Sequence, residues 1–310
     1  METKRVAAID CGTNSVRLLI ADISGDDLTD VERRMEIVRL GQDVDRTGRL
    51  APEALERTFS AMRGYAKLIR EHSPDGPVPI RVVATSATRD AANRADFVSG
   101  VRDIFGVEPE VVTGDEEARL SFTGATRGLA GAAAETPFLV VDIGGGSTEF
   151  VVGSRSVEGA LSVDIGCVRL TERHLRDDPP ATGDVEAAVA DIEAAMDRVE
   201  ESVPVRTART LVGLAGSVTT VAGIALGLPA YDPARIHHSR IPAERVHEVS
   251  ARLLEMTHDE RAAIPVMHPG RVDVIGAGAL ILDRIVRRYG FSEVVVSEHD
   301  ILDGIAWSLA

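Results

Sequence analysis

A loop of small residues occurs twice in this chain, each time between two short apolar runs, and this repetition restricts the fold more than any other feature. Asp10-Cys11-Gly12-Thr13-Asn14-Ser15 and Asp142-Ile143-Gly144-Gly145-Gly146-Ser147 share Asp, Gly and Ser in register. Apolar residues 6–9 and 138–141 precede the loops, and residues 16–22 and 148–153, rich in β-formers, follow them. Strand, tight loop and strand are expected at both places. Self-similarity of this kind marks an internal duplication. The expected fold class is therefore α/β: two similar domains with an active-site cleft between them, each presenting one small-residue loop.

Other signals extend the pattern. Residues 35–40 read as a third strand. Pro52 opens a helix with Leu55, Phe59, Met62, Ala66 and Ile69 at helical spacing. A buried strand is expected at 80–85, a helix through Phe97, Val101 and Ile104, a strand at 111–113 and a third helix after it. The first domain should cover residues 1–125, with the C-terminal stretch 298–310 able to pack back on it. The Ala/Gly-rich stretch 128–137 reads as the joint, and the second domain should cover 126–297. Within it a helix runs through Val185, Val189, Ile192, Met196 and Val199, and a strand over 211–214 leads to a helix after Gly216-Ser217. A long helix over 271–289 is closed by Gly290, followed by a strand at 294–296 and a last helix over 300–309.

Charge and cysteine usage narrow the function classes. The formal net charge is −15, which penalises non-specific binding to nucleic acid or anionic membranes. Any polyanionic substrate needs a local exception: a divalent metal, placed arginines or backbone N–H groups. Two cysteines, Cys11 and Cys167, form neither a disulfide framework nor a zinc site and suit a reducing compartment. Asp10 cuts short the first apolar run, so no secretory segment is expected there. Residues 211–231 carry no charge, but their glycines, hydroxyls and Pro229 favour a buried strand and helix over a membrane span. The expected location is cytoplasmic, without nucleic-acid or membrane partners.

Loops of Gly, Ser, Thr and Asn let consecutive N–H groups point at an anion. Asp10 and Asp142, at the strand ends, are placed to bind a cation or to order its water. A strand follows each loop where P-loop and dinucleotide motifs need a helix, which disfavours both. In Thr113-Gly114-Asp115-Glu116-Glu117, Thr-x-x-Glu is a capping box using Glu116; that reading leaves Glu117 unexplained and available as a base. Ala84-Thr85-Ser86-Ala87-Thr88-Arg89 suits an oxyanion site, since guanidinium pairs bidentately with phosphate, or else carries a plain surface arginine. Cys-x5-Arg occurs at Cys11…Arg17 and Cys167…Arg173, the spacing of cysteine-dependent phosphatases, which need a Gly-rich loop between the two residues and a helix after the arginine. Residues 168–172 are too bulky for such a loop, and Cys11…Arg17 has the small residues but runs into a strand at 18–21. His237-His238 with Arg235 and Arg240 make a basic region, read as a surface loop rather than a metal site.

Several of these motifs, taken in order, identify a resemblance. Residues 7–15, Val38-Arg39-Leu40-Gly41, residues 84–89, Gly114-Asp115-Glu116-Glu117-Ala118-Arg119-Leu120 and residues 141–149, with Arg271-Val272-Asp273-Val274-Ile275 and Glu298-His299-Asp300-Ile301-Leu302-Asp303-Gly304 near the end, resemble the exopolyphosphatase/guanosine pentaphosphate phosphatase family. That family lies within the actin and sugar-kinase-like ATPase superfamily, so the resemblance implies two actin-like (ribonuclease H-like) domains. It implies Glu117 as general base and Arg89 on the terminal phosphate. It places phosphate on the loops Gly12, Thr13, Asn14, Ser15 and Gly144, Gly145, Gly146, Ser147, with Arg271 as a further contact. Asp142 and Glu149, with Asp10 nearby, would hold or orient Mg2+, for which Mn2+ could substitute. The implied substrate is inorganic polyphosphate, or alternatively guanosine pentaphosphate; a small-molecule kinase and a non-catalytic sensor of either ligand are the rivals. Longer members carry C-terminal helical domains with a basic channel that have no counterpart up to Ala310, so short to medium chains are expected. Gly213-Leu214-Ala215-Gly216-Ser217 departs from the family's more glycine-rich loop. Apolar faces of the second-half helices could pair two chains as a homodimer.

Overall fold

The computed structural model describes residues 3–74, 76–129 and 134–310. They divide into two compact units: unit 1 holds the residues up to Gly124 together with Ile301–Ala310, and unit 2 holds Ala125–Asp300. The joint read at 128–137 includes residues 130–133, which lie outside the described residues.

In unit 1, β1 (Lys4–Cys11), β2 (Ser15–Ser24), β3 (Asp27–Ile37), β4 (Ile80–Ala84) and β5 (Glu110–Val111) form one sheet in the order β3-β2-β1-β4-β5. The first three strands are antiparallel neighbours, whereas β4 runs parallel to β1 and β5 to β4. The helices are α1 (Val44–Thr47), α2 (Pro52–Glu71), α3 (Ser86–Asp90), α4 (Arg94–Phe105) and α5 (Gly114–Thr126), the last running across the boundary into unit 2.

Unit 2 repeats the scheme with β6 (Phe138–Ile143), β7 (Thr148–Gly153), β8 (Val157–Val163), β9 (Thr210–Leu214), β10 (Arg240–Pro242) and β11 (Glu293–Val296), ordered β10-β11-β9-β6-β7-β8. Read from β8, a third, second and first strand are antiparallel neighbours and the next two run parallel, as in unit 1; β10 is an added edge. Its helices are α6 (Cys167–Arg173), α7 (Thr182–Ser202), α8 (Ala215–Ala225), α9 (Pro233–Ile236), α10 (Ala243–Glu255), α11 (His258–Ala262) and α12 (Ile275–Tyr289), while α13 (Ile301–Trp307) belongs to unit 1. The duplicated α/β fold expected from the two loops is the fold observed.

The apolar run at 6–9 lacks alternation because both faces of β1 are covered. Ala7 and Ile9 join the cluster containing Met62 of α2 and Phe97 of α4. Val6 and Ala8 face the other way and pack with Ile301 and Ile305 of α13. Uncharged residues 211–231 form β9, its turn and α8, and no helix among the described residues is long and apolar enough to cross a membrane.

Four local expectations are corrected. The third strand covers Asp27–Ile37 rather than 35–40; it is an edge strand, and its outward charges hide the apolar alternation. Residues 86–90, which had no expected element, close one helical turn, α3. The helix expected from 271 begins at Ile275, after a 3-10 turn at Pro269–Arg271. Strand β8 and helix α6 had no strong sequence signal.

Candidate active site

In unit 1 the β1–β2 turn is Gly12-Thr13-Asn14, and Gly12 N–H donates to Ser15 O at 3.0 Å. Thr13 O accepts from Gly41 N–H at 2.8 Å, and Asn14 O from Val38 and Arg39 N–H at 3.0 and 2.9 Å. Across a planar trans peptide, a C=O and the following N–H point in opposite directions. The N–H groups of Asn14 and Ser15 therefore face away from residues 38–41, as an anion nest requires. Thr13 Oγ1 lies 2.9 Å from Ser86 Oγ, so the hydroxyl-rich segment after β4 abuts this loop.

Helix α3 carries Arg89, and the first turn of α5 carries Glu117. Arg89 Nη1 donates to Glu117 Oε2 at 2.9 Å and to Val112 O at 3.1 Å. Glu117 is only 7 % exposed. The cap and the candidate base coexist: Thr113 Oγ1 accepts from Glu116 N–H at 3.3 Å, and the Glu116 carboxylate lies 3.5 Å from Arg81, while Glu117 turns inward to Arg89.

Register reveals what the loops alone do not. Asp10 sits opposite Arg17 across the β1–β2 hairpin, and Arg17 Nε and Nη2 both donate to its Oδ2, at 2.9 and 2.7 Å. At the matching position of unit 2, Asp142 sits opposite Glu149. Side chains directly opposite in an antiparallel pair share a face, so two carboxylates, 7 % and 1 % exposed, stand side by side. Ser162 Oγ donates to Glu149 Oε1 at 2.7 Å. Arg17 and Ser162 are partners that sequence reasoning missed; a seven-residue offset from each aspartate would have found Arg17 once the hairpin register was known.

The second loop is turned the same way as the first. Gly144 N–H donates to Ser147 O at 3.0 Å, Gly144 O accepts from Cys167 N–H at 2.9 Å, and Gly145 O accepts from Val168 and Arg169 N–H at 2.9 and 3.1 Å. The N–H groups of Gly145 and Gly146 therefore face away from α6. Arg271, on its 3-10 turn, donates from Nη1 to Thr220 Oγ1 at 3.3 Å. Its guanidinium lies so close to Gly216 that a Cβ there would come within 2.3 Å of Cζ, which gives this glycine a packing role beside the arginine.

Both thiols are unsuited to nucleophilic work. Burial, and then the nearby Asp10 charge, push the Cys11 thiol well above its ordinary range. Burial also raises Cys167, with Ser217 and Arg271 only partly opposing it. Cys11…Arg17 brackets the β1–β2 turn but runs into a strand, with Arg17 engaged by Asp10, and Cys167…Arg173 is α6 itself, so neither is the loop followed by a helix that a cysteine nucleophile requires. In the basic region, the His237 ring stacks on His238 at 3.7 Å and tilts against His299 at 4.5 Å. Burial first, then His299, lower the His238 pKa.

Residues 19–310 match the Ppx/GppA phosphatase family. The chain belongs to that family. It is 50 % identical over the whole of both chains to Exopolyphosphatase 2 of Mycobacterium tuberculosis. A crystal structure of an exopolyphosphatase-like protein superimposes with a TM-score of 0.95 at 43 % identity, covering 99 % of this chain and 98 % of that one. The Aquifex aeolicus member of the Ppx/GppA family gives 0.82 at 31 %, covering 99 % and 97 %. Within this Ppx/GppA chain, the departure at 213–217 has a structural cost, because Ala215 takes a positive φ of 67°, a conformation that glycine would adopt without strain.

Proposed function

We propose that this chain is an exopolyphosphatase that hydrolyses the terminal phosphoanhydride of inorganic polyphosphate and releases orthophosphate. The name of its half-identical mycobacterial relative supports the reaction class. The observation that carries the mechanism is the Arg89–Glu117 pair at 2.9 Å, in which a half-buried arginine meets a buried carboxylate, adjoined by a loop whose N–H groups are turned outward. A terminal phosphoryl group competes for the Arg89 guanidinium, with which it can form two parallel hydrogen bonds. Glu117 then orients a water for in-line attack and accepts its proton. The N–H groups of each small-residue loop are turned to hold phosphate oxygens, and within unit 2 Arg271 adds a positive charge.

Asp142 and Glu149 fit the divalent metal that the family resemblance implies. Mg2+ takes one or two carboxylates and completes its shell with waters and phosphate oxygens, and two buried carboxylates on one face offer that donor set. When bound, the ion would neutralise charge on the phosphoryl oxygens, which matters in a reaction governed by positioning and electrostatics. Asp10, the third candidate ligand, is the weaker one because Arg17 pairs with its Oδ2.

The test is orthophosphate release from defined-length polyphosphate and from guanosine pentaphosphate, with Mg2+ or EDTA, by wild type, Glu117→Gln and Cys11→Ser. The expected outcome is Mg2+-dependent release from polyphosphate, lowered about 10²–10⁴-fold in kcat by Glu117→Gln and unchanged by Cys11→Ser. Full activity in Glu117→Gln would remove the base assignment. Faster release from guanosine pentaphosphate would reassign the substrate, and tight binding without turnover would make the chain a sensor.

A further inference from the structure

Arg169 has no part in the chemistry proposed above, yet its side chain is nearly buried behind the second loop. The backbone N–H groups of α6 reach only the first two carbonyls of that loop, Gly144 O and Gly145 O. The third, Gly146 O, accepts instead from Arg169 Nε–H at 2.7 Å. Gly166, just ahead of α6, packs so tightly on the Gly145 peptide that a Cβ there would come 2.2 Å from Gly145 O. Three successive carbonyls are thus drawn to one side. By peptide planarity, the N–H groups of Gly145, Gly146 and Ser147 point to the other. The third of these orientations depends on the arginine side chain.

The duplication supplies an independent comparison. Val38-Arg39-Leu40 and Val168-Arg169-Leu170 have the same three residues, and each follows the third strand of its unit. In both units this segment donates backbone N–H groups to the carbonyls of the small-residue loop. In unit 1 the N–H groups of Val38, Arg39 and Gly41 serve both Thr13 O and Asn14 O. In unit 2 the same sequence enters a helix, which turns its backbone away from the last carbonyl, and the side chain takes over.

The geometry points to Arg169 as a positioning residue that fixes the Gly146–Ser147 peptide so that Ser147 N–H faces a substrate phosphate. This rests on the reading of Gly144, Gly145, Gly146 and Ser147 as a phosphate loop. The probe is imidodiphosphate, a phosphoanhydride analogue, titrated into the full chain in buffer containing Mg2+. The amide resonances of Gly145, Gly146 and Ser147 are followed by NMR in wild type, Arg169→Met and Arg169→Lys, with unfolding midpoints measured alongside. In wild type these three amides should shift on binding. Arg169→Met, which loses the hydrogen bond, should bind about tenfold more weakly. Arg169→Lys, which keeps a donor without the planar guanidinium, should bind about threefold more weakly. KM for polyphosphate should rise in the same order, with kcat little changed. Wild-type affinity in Arg169→Met would overturn the proposal and leave the loop reading intact, even if the unfolding midpoint falls. Should Arg169→Met fail to fold, wild-type affinity in Arg169→Lys overturns it instead. Wild-type amides that ignore imidodiphosphate would overturn the loop reading, and the proposal with it.

Discussion

Replacing Glu149 by Gln should make the metal-free protein more stable while abolishing most of its response to Mg2+. Asp142 and Glu149 are cross-strand partners on one face, almost fully buried. Directly opposed positions in an antiparallel pair have Cβ atoms about 5 Å apart. Two negative charges at that separation, in an effective dielectric of about 20, repel by about 3 kcal/mol. The Ser162 hydroxyl on Glu149 offsets part of this repulsion, and glutamine keeps an oxygen that can accept the same hydrogen bond. The net gain from Glu149→Gln in EDTA at pH 8 should therefore be about 1–2 kcal/mol. A ligand that binds only the folded state at a hundred times its Kd stabilises by about 2.7 kcal/mol, and this Mg2+-linked increment should largely vanish in the variant. Urea unfolding of both proteins, in EDTA and in saturating Mg2+, measures all four quantities. A variant that loses stability in EDTA and keeps the full Mg2+ increment would show that the carboxylate pair is not where the cation is needed.

Two further outcomes are expected. Arg33 Nη2 on the edge strand β3 reaches the buried Asp303 of α13 at 2.5 Å, so Arg33→Met should leave that carboxylate poorly compensated; because the arginine is partly exposed, the loss should be about 1–3 kcal/mol, and an unchanged urea midpoint would remove the pair from the forces holding α13. His238 is held neutral in the folded state, its pKa lowered by burial and by His299, so its contribution is present above the ordinary imidazole value of about 6.5 and lost as pH falls below it, where the unfolded chain takes up the proton. His238→Asn, which tolerates the φ of 60° at this site, should flatten the fall in melting temperature from pH 7 to pH 5, whereas parallel curves would show that the imidazole does not contribute to it.

The sequence made the repeated strand–loop–strand units legible because both of their signals are local: apolar runs and small residues that permit tight turns. It also marked α2, opened by Pro52, and α12, closed by Gly290 at a φ of 72°. Less of the site could be read, because the decisive partners are set by register and by helix starts. Arg17 is prominent in the sequence only as part of a cysteine motif, and becomes the partner of Asp10 when β1 and β2 pair. Arg89 and Glu117 lie 28 positions apart and were assigned separate duties; parallel pairing of β4 with β5 brings the helices that follow those strands together. Strand β8 and helix α6 escaped notice for a similar reason. Glu158 and Gly159 interrupt the first, and α6 has only seven residues, too few to establish an apolar periodicity.

The matched hairpins also show where the two copies of the duplicated unit have diverged in charge. One backbone position in each unit, directly across from the loop aspartate, carries opposite charge: Arg17 in unit 1 and Glu149 in unit 2. The arginine pairs with Asp10 Oδ2 within its own hairpin, in the unit that also carries the Arg89–Glu117 pair. The glutamate does the reverse and places a second carboxylate on the face of the unit 2 loop aspartate. The substrate proposed above is a polyanion, and a chain of net charge −15 would hold it only where positive charge is concentrated. Divergence at this one cross-strand position is what separates the two otherwise matched hairpins in charge: a guanidinium faces the loop aspartate in one and a carboxylate faces it in the other.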